Sequence, residues 1–291
     1  MKKLVFIAFS ACFAAFTSCK EHANLGVVLT GGGSSTGDST FMSSVEAVSA
    51  KKIVVEEFTG ASCPNCPDAR TMLATIEAAN PNKIIPIELH PHEIPQGRKI
   101  EGKSKYDFTN TFVSDIIAQY YQGIGSIPIA GIDRHSYNNS RLINRADWAN
   151  IIATRIAQIP PVNIKLTNQY DDGKREGNLK VHVACTKTLT GKQFISLAIV
   201  ESDIVDAQEY PSYIDDNYNF KHVFRKIVTP AGGTSFLDSL TSKTAGRVFQ
   251  TNFKYAIDPS WNPANCKLIL MVHNNQADSK EILQAEEIEV K

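Results

Sequence analysis

Ile53-Val54-Val55-Glu56-Glu57-Phe58 is a β-branched and apolar run interrupted by two acids, the length of a buried strand. Thr59-Gly60 ends it, and Cys63-Pro64-Asn65-Cys66-Pro67 follows. Ala69, Met72, Leu73, Ile76 and Ala79 then recur at helical spacing until Pro81 stops the pattern. A strand that turns at once into an amphipathic helix lays that helix across the face of its own sheet, so this stretch requires a layered α/β unit. The alternation continues. Ile84 to Leu89 is a second apolar strand, and Phe112, Ile116, Ile117 and Tyr120 mark a second helix. Ile127 to Ile132 is a short strand, and Trp148, Ile151, Ile152 and Ile156 mark a third helix, closed by Pro160-Pro161.

After Pro161 the hydrophobic period changes to two. Val162 to Leu166, Leu179 to Val183 and Cys266 to Leu270 alternate, and 194–200, 222–228, 247–257 and 282–290 are further strand candidates. Short strands separated by turn signals such as Asp171-Asp172-Gly173 predict an all-β sandwich of immunoglobulin-like type. The expected organisation is an α/β domain over 51–160 and a β-sandwich over 161–291. Lys221 to Lys226 reads as an exposed strand with a solvated basic face, and Tyr210 to Tyr218 as a long aromatic loop.

The N-terminus reads as an address. Met1-Lys2-Lys3 is a basic start, and Leu4 to Phe16 is apolar but too short for a hydrocarbon core of ~30 Å. Thr17-Ser18-Cys19 follows, which resembles a bacterial lipobox. Residues 1–18 are thus expected to be a signal peptide and Cys19 the lipidated N-terminus. Residues 19–50, with Gly31-Gly32-Gly33-Ser34-Ser35, read as a flexible tether spanning roughly 30 Å. Lys+Arg and Asp+Glu are both 30, so the chain lacks the basic excess that nucleic-acid binding needs.

Cys63-Pro64-Asn65-Cys66 carries the chemistry. A cysteine at a helix N-terminus is stabilised as a thiolate, and a second cysteine one turn on is within disulfide reach. Cys63 is therefore expected to be the exposed nucleophile and Cys66 the shielded partner. His90-Pro91-His92 leaves open a weaker metal site built from Cys63, Cys66 and His90. Cys185 and Cys266 share parity with core residues of their strands. In an immunoglobulin-like order an offset of about six residues, ~20 Å, separates them, which favours two buried thiols over a disulfide.

Residues 51–160 resemble a thioredoxin-fold domain in three respects. A C-x-x-C opens a helix after a buried strand. Ser126-Ile127-Pro128 stands where thioredoxins place a cis-proline beside the disulfide. Glu57 stands six residues before Cys63, where they carry a buried acid. Ser62 in place of the usual tryptophan, the Pro-Asn centre and a polar insertion from His90 to Asn110 depart from that pattern. Val55 to Pro67, together with Tyr218 to Lys226, resembles the outer-membrane-protein-28-related lipoproteins of Gram-negative bacteria. The resemblance implies a lipid-anchored outer-membrane protein facing the periplasm or the cell surface, attached to the membrane through its N-terminal lipid. With the dithiol it implies a thiol–disulfide oxidoreductase that needs no cofactor. Its catalytic residues would be Cys63, Cys66, Glu57 and Pro128, and its substrates protein or peptide disulfides and dithiols. A non-enzymatic surface or adhesion lipoprotein with a structural Cys63–Cys66 disulfide, or a metal chaperone, are the alternatives.

Overall fold

The computed structural model describes residues 38–291. The expected signal peptide, the lipidation site Cys19 and the glycine-rich part of the tether lie outside the described residues. Those described are mostly β-sheet with few helices. The first half comprises β1 (Ser39–Met42), β2 (Ile53–Phe58), α1 (Cys66–Ala79), β3 (Ile84–Leu89), α2 (Thr111–Ile116), β4 (Ile129–Ile132) and α3 (Trp148–Ile156). α2 runs on as a π-helical turn, Ile117–Tyr121. The second half opens with β5 (Val162–Asp171), β6 (Glu176–Cys185), β7 (Leu189–Thr190), β8 (Gln193–Glu201), β9 (Ile204–Glu209) and β10 (Ile214–Phe220). It closes with β11 (Val223–Ile227), β12 (Thr234–Ser235), β13 (Ser242–Lys243), β14 (Arg247–Ala256), β15 (Cys266–Asn274) and β16 (Ile282–Glu289).

One sheet joins the two halves. Its order is β16-β15-β8-β11-β3-β2-β4, so strands from before and after Pro160-Pro161 are hydrogen-bonded into a single surface. β11 is the joint: it pairs antiparallel with β8 and meets β3 in parallel at Val223↔Glu88. The reason lies in β8 and β15, which are apolar on both faces and so need cover on both. Leu197, Ile199, Leu268 and Leu270 share a core with Val181, Val183 and Phe249 of the second sheet, β1-β14-β6-β5. On the other face Ala198, Val200, Ile269 and Met271 pack with Val54, Ile87, Val113 and Tyr120. α1 and α3 cover the remaining face of β2–β3–β4 through Ala69, Leu73, Trp148 and Ile152.

Three local expectations are corrected. Ser39–Met42, assigned to the tether, is strand β1, held on the edge of β14 with Thr40 opposite Phe249. The stretch read as an aromatic loop is mainly the β9–β10 hairpin, whose period is hidden by a register break between Asp215 and Tyr218. β11 is an interior strand with Val223, Phe224 and Ile227 buried. Its basic composition misleads because Arg225 is neutralised by Glu201, at 2.7 Å.

Candidate functional site around the Cys63–Cys66 disulfide

Cys63 and Cys66 form a disulfide just beyond the C-terminal end of β2. α1 begins at Cys66, not at Cys63. Residues 63–66 are a turn in which the Cys66 N–H donates to the Cys63 carbonyl at 3.2 Å. Pro67 occupies the first helical turn, where a missing N–H leaves no bond unmade. The cis Ile127–Pro128 bond immediately precedes β4. The Phe58↔Ile129 pairing brings Pro128 to the end of β2 from which the cysteine turn departs.

The expected exposure of Cys63 is corrected. Cys63 is 2% exposed and Cys66 fully buried. Two segments cover them. From β9, the buried Gln208 amide donates to the carbonyls of Gly60, Ala61 and Cys63 at 3.1–3.3 Å. Beside it the Glu209 N–H donates to the Ala61 carbonyl at 2.8 Å. From the polar insertion, the Arg98 and Lys99 carbonyls accept from the Ser62 N–H and hydroxyl at 3.2 and 3.1 Å. Gly60 is required there, because a Cβ would stand 2.0 Å from the Gln96 carbonyl oxygen.

Gln208 links the cysteine turn to a buried charge cluster. On β2 odd positions face α1, so Glu57 shares that side with Ile53 and Val55. Glu57 is fully buried, and its carboxylate oxygens have no hydrogen bond of good geometry, the Thr59 side chain being only a weak partner. The parallel register sets Glu88 of β3 directly beside it. Arg70, one helical turn after Cys66, brings Nε to 3.3 Å from Glu88 Oε2 and donates from Nη1 to Gln208 Oε1 at 2.7 Å. Its guanidinium also lies against the rings of Tyr218 and Phe220 on β10. Burial first, then the neighbouring Glu88 charge, pushes the Glu57 carboxyl up to about 8, against the opposing pull of Arg70. Burial raises Glu88 to about 7, with Arg70 again opposing. A cavity of about 490 Å³ opens onto Glu57, Arg70 and Glu88 from the direction of Tyr218, His222 and Lys267.

His90 does not join the cysteines. It is buried against Phe108 and Phe220, 4.0 Å from Glu88, and burial holds its imidazole well below the usual range. Among the described residues no group of three or more His, Cys, Asp or Glu side chains is placed to hold a metal ion, so the Cys63, Cys66 and His90 site finds no geometry. Cys185 and Cys266 are free and buried, and burial pushes their thiols up to about 11 and about 12. Arg70, Glu88 and Gln208 escaped the sequence reading. Glu88 carried a signal, a lone acid within the apolar run 84–89. Arg70 carried a fainter one, four residues after Cys66. Gln208 carried none, since its partners are some 145 residues away.

No curated protein matches the sequence. Among solved structures, HBP35 of Porphyromonas gingivalis superposes with a TM-score of 0.64 at 13% identity, covering 84% of this chain and 77% of that one. A structural-genomics target from Agrobacterium tumefaciens aligns with a TM-score of 0.49 at 15% identity, over 84% of this chain and 97% of its own. At such identities the likeness concerns the fold. The family model described as outer membrane protein Omp28 matches residues 115–291. That match starts downstream of the disulfide, so it bears on lineage and location rather than on the chemistry of Cys63. Because it spans well over half of the sequence, from α2 through β16, the chain belongs to the Omp28 family of outer membrane proteins.

Proposed function

We propose that this outer membrane protein is a thiol–disulfide oxidoreductase whose redox pair is Cys63–Cys66. In this reading residues 51–160 are a thioredoxin-like module, residues 161–291 an immunoglobulin-like sandwich docked on it, and Cys19 the lipid anchor. The observation that carries the reading is Glu57, a fully buried carboxyl on the strand that leads into the disulfide, with no hydrogen bond of good geometry and only the Thr59 side chain as a weak partner. A buried acid so poorly partnered is costly, and a disulfide that only staples the chain gains nothing from it.

In the reducing direction the Cys63 thiolate attacks a substrate disulfide, and one substrate thiolate leaves. Cys66 then loses its proton towards Glu57 and attacks the Cys63 sulfur. The Cys63–Cys66 bond closes and the second substrate thiolate leaves. A dithiol donor reduces the pair again, and the reverse sequence oxidises a dithiol. A substrate reaches Cys63 only when the β9–β10 hairpin lifts from the cysteine turn, since Gln208 and Glu209 hold it down. Pro128 would present backbone to the substrate segment beside the opened site.

Trapping tests this. A Cys66→Ser variant should accumulate mixed disulfides through Cys63 in envelope extracts, and Cys63→Ser should not. The burial of both sulfurs favours a second reading, a structural disulfide in a non-enzymatic surface protein. If neither variant traps a partner, and the wild-type disulfide resists reduction in the folded protein, that second reading stands.

A further inference from the structure

The cleft lined by Glu57, Arg70 and Glu88 is built from two faces. From β2 and β3 come Glu57, Pro86 and Glu88, which share one side of the parallel pair. From α1 come Arg70, Leu73, Ala74 and Glu77, spaced so that they follow one side of the helix. Both strand carboxyls are buried, and the Glu57 oxygens and Glu88 Oε2 lack a hydrogen bond of good geometry although the cavity opens onto these residues. Two ionised carboxyls and one guanidinium leave a negative charge over in a low-dielectric site. No neighbour removes it. His90 beyond β3 and His222 before β11 are held neutral by burial, His222 at about 4. Lys221 is engaged by Asp203, and Lys267 by Glu287 and Glu289 at 3.1 and 3.4 Å. Tyr218 of β10 and Glu77 bring no positive charge.

We propose that this cleft binds a small organic cation with N–H donors, a primary ammonium, which sits against Glu57 and Glu88 and supplies the missing charge. An ammonium has three donors and no acceptor, so it suits carboxylate oxygens that lack good hydrogen bonds. Its aliphatic chain would lie along Leu73, Ala74 and Pro86. The volume, about 490 Å³, is that of a small-molecule site. An anion fits badly, because Arg70, Lys221 and Lys267 already have carboxylate partners. A divalent metal ion fits badly too, because only two carboxyls converge and Arg70 stands beside them. Burial and the Glu88 charge favour a proton on Glu57, so the ligand competes with that proton. The site does not depend on exchange at Cys63–Cys66.

The test adds n-butylammonium chloride to the oxidised full chain and follows glutamate side-chain carboxyls by NMR. Saturable shifts should appear at Glu57 and Glu88. Tetramethylammonium chloride, which carries the charge without N–H donors, should give none at the same concentration. Glu57→Gln should weaken n-butylammonium binding on the order of tenfold, and Glu101→Gln, on an exposed side chain, should not change it. Ala74→Trp narrows the cleft from an exposed helical position and should weaken binding as well, so it serves if Glu57→Gln does not fold. Affinity should rise between about pH 6.5 and about pH 8.5, where the ligand stays protonated and Glu57 gives up its proton. No saturable shift at either carboxyl, equal shifts with the two salts, or unchanged affinity in both Glu57→Gln and Ala74→Trp overturns the site.

Discussion

Glu56 and Glu57 are neighbours on β2, both almost wholly buried, yet they face opposite sides of the sheet and meet opposite fates. Arg134 grips Glu56 with two bonds, Nη2 to Oε1 at 2.7 Å and Nε to Oε2 at 2.9 Å, and the Tyr121 hydroxyl adds a third. The guanidinium stacks 3.5 Å above the Tyr120 ring, and Arg134 keeps a left-handed backbone, φ 50°, to reach that place. Asp133 is served in the same way by Lys51 at 2.8 Å, Arg155 at 3.1 Å and the Val54 N–H at 2.9 Å. Glu57 has no such grip: Arg70 acts on it only through its charge, and Thr59 is a weak partner. Burial alone therefore says nothing about role. The count of partners separates the two: a closed network holds the fold, and an open one marks a carboxyl whose burial the fold does not explain.

The largest effect should come from breaking the closed side. Arg134→Met leaves Glu56 buried without its cation, and loss of one partner of a buried ion pair costs ~3–5 kcal/mol. Denaturant unfolding should show that loss. At about pH 4, where both the folded and the unfolded carboxyl are mostly protonated, Glu57→Gln should change stability by no more than ~1 kcal/mol, because glutamine imitates the protonated carboxyl that burial favours. Equal costs at the two positions would break the distinction.

The second effect is on pH dependence. Glu57 and Glu88 have folded-state values near 8 and 7, above the ordinary glutamate value. The folded protein then binds more protons than the unfolded chain between about pH 4.5 and 8. Their contribution is complete below the unfolded value and is lost as pH rises through the folded values. His273 acts on the other side: burial lowers it to about 3, so its contribution is present above pH ~6.5 and is lost as pH falls. The loss of stability between pH 6.5 and 8.5 should therefore shrink in Glu57→Gln and persist in Glu56→Gln. Chemical denaturation at a series of pH values reads both.

The third effect concerns the cover. Gln208→Ala removes the bonds to the Gly60, Ala61 and Cys63 carbonyls and the acceptor for Arg70. With ~1–2 kcal/mol lost from the closed state, reduction of Cys63–Cys66 by a soluble thiol should accelerate on the order of tenfold. An unchanged rate would mean that the hairpin does not gate the disulfide.

Much of this site was legible because it is local. The run 53–58, the cysteine turn and the helical spacing after it report their own conformation within a few residues. Glu57 and Pro128 were marked by the resemblance to thioredoxins, Glu57 as the acid six residues before Cys63 and Pro128 as the proline at the start of a later strand. What escaped depends on contacts made far along the chain. Nothing within Val223 to Ile227 announces that it will lie between β8 and β3, because pairing order is decided by which two-faced strands need cover. Ser39–Met42 carries no alternation strong enough to mark it; the free edge of β14 makes it a strand. Gln208 looks like any polar strand residue until the hairpin folds over the cysteine turn.

The smallest effect should come from the other two buried cysteines, and it separates burial from reactivity once more. Cys185 and Cys266 end and begin their strands, β6 and β15, inside the core shared by the two sheets, and both thiols are pushed well above neutral pH by burial. A thiol held protonated and out of water is a poor nucleophile. Neither should be alkylated in the folded protein near neutral pH, while both react after denaturation. Each change to alanine removes only one buried sulfur, so it should cost about 1 kcal/mol and leave the reduction rate of Cys63–Cys66 unchanged. Rapid native labelling of either would show that the sandwich core opens as readily as the cover over Cys63. Mass spectrometry of the labelled peptides decides between the two, because Cys63 and Cys66 lie on a different stretch of chain from Cys185 and Cys266.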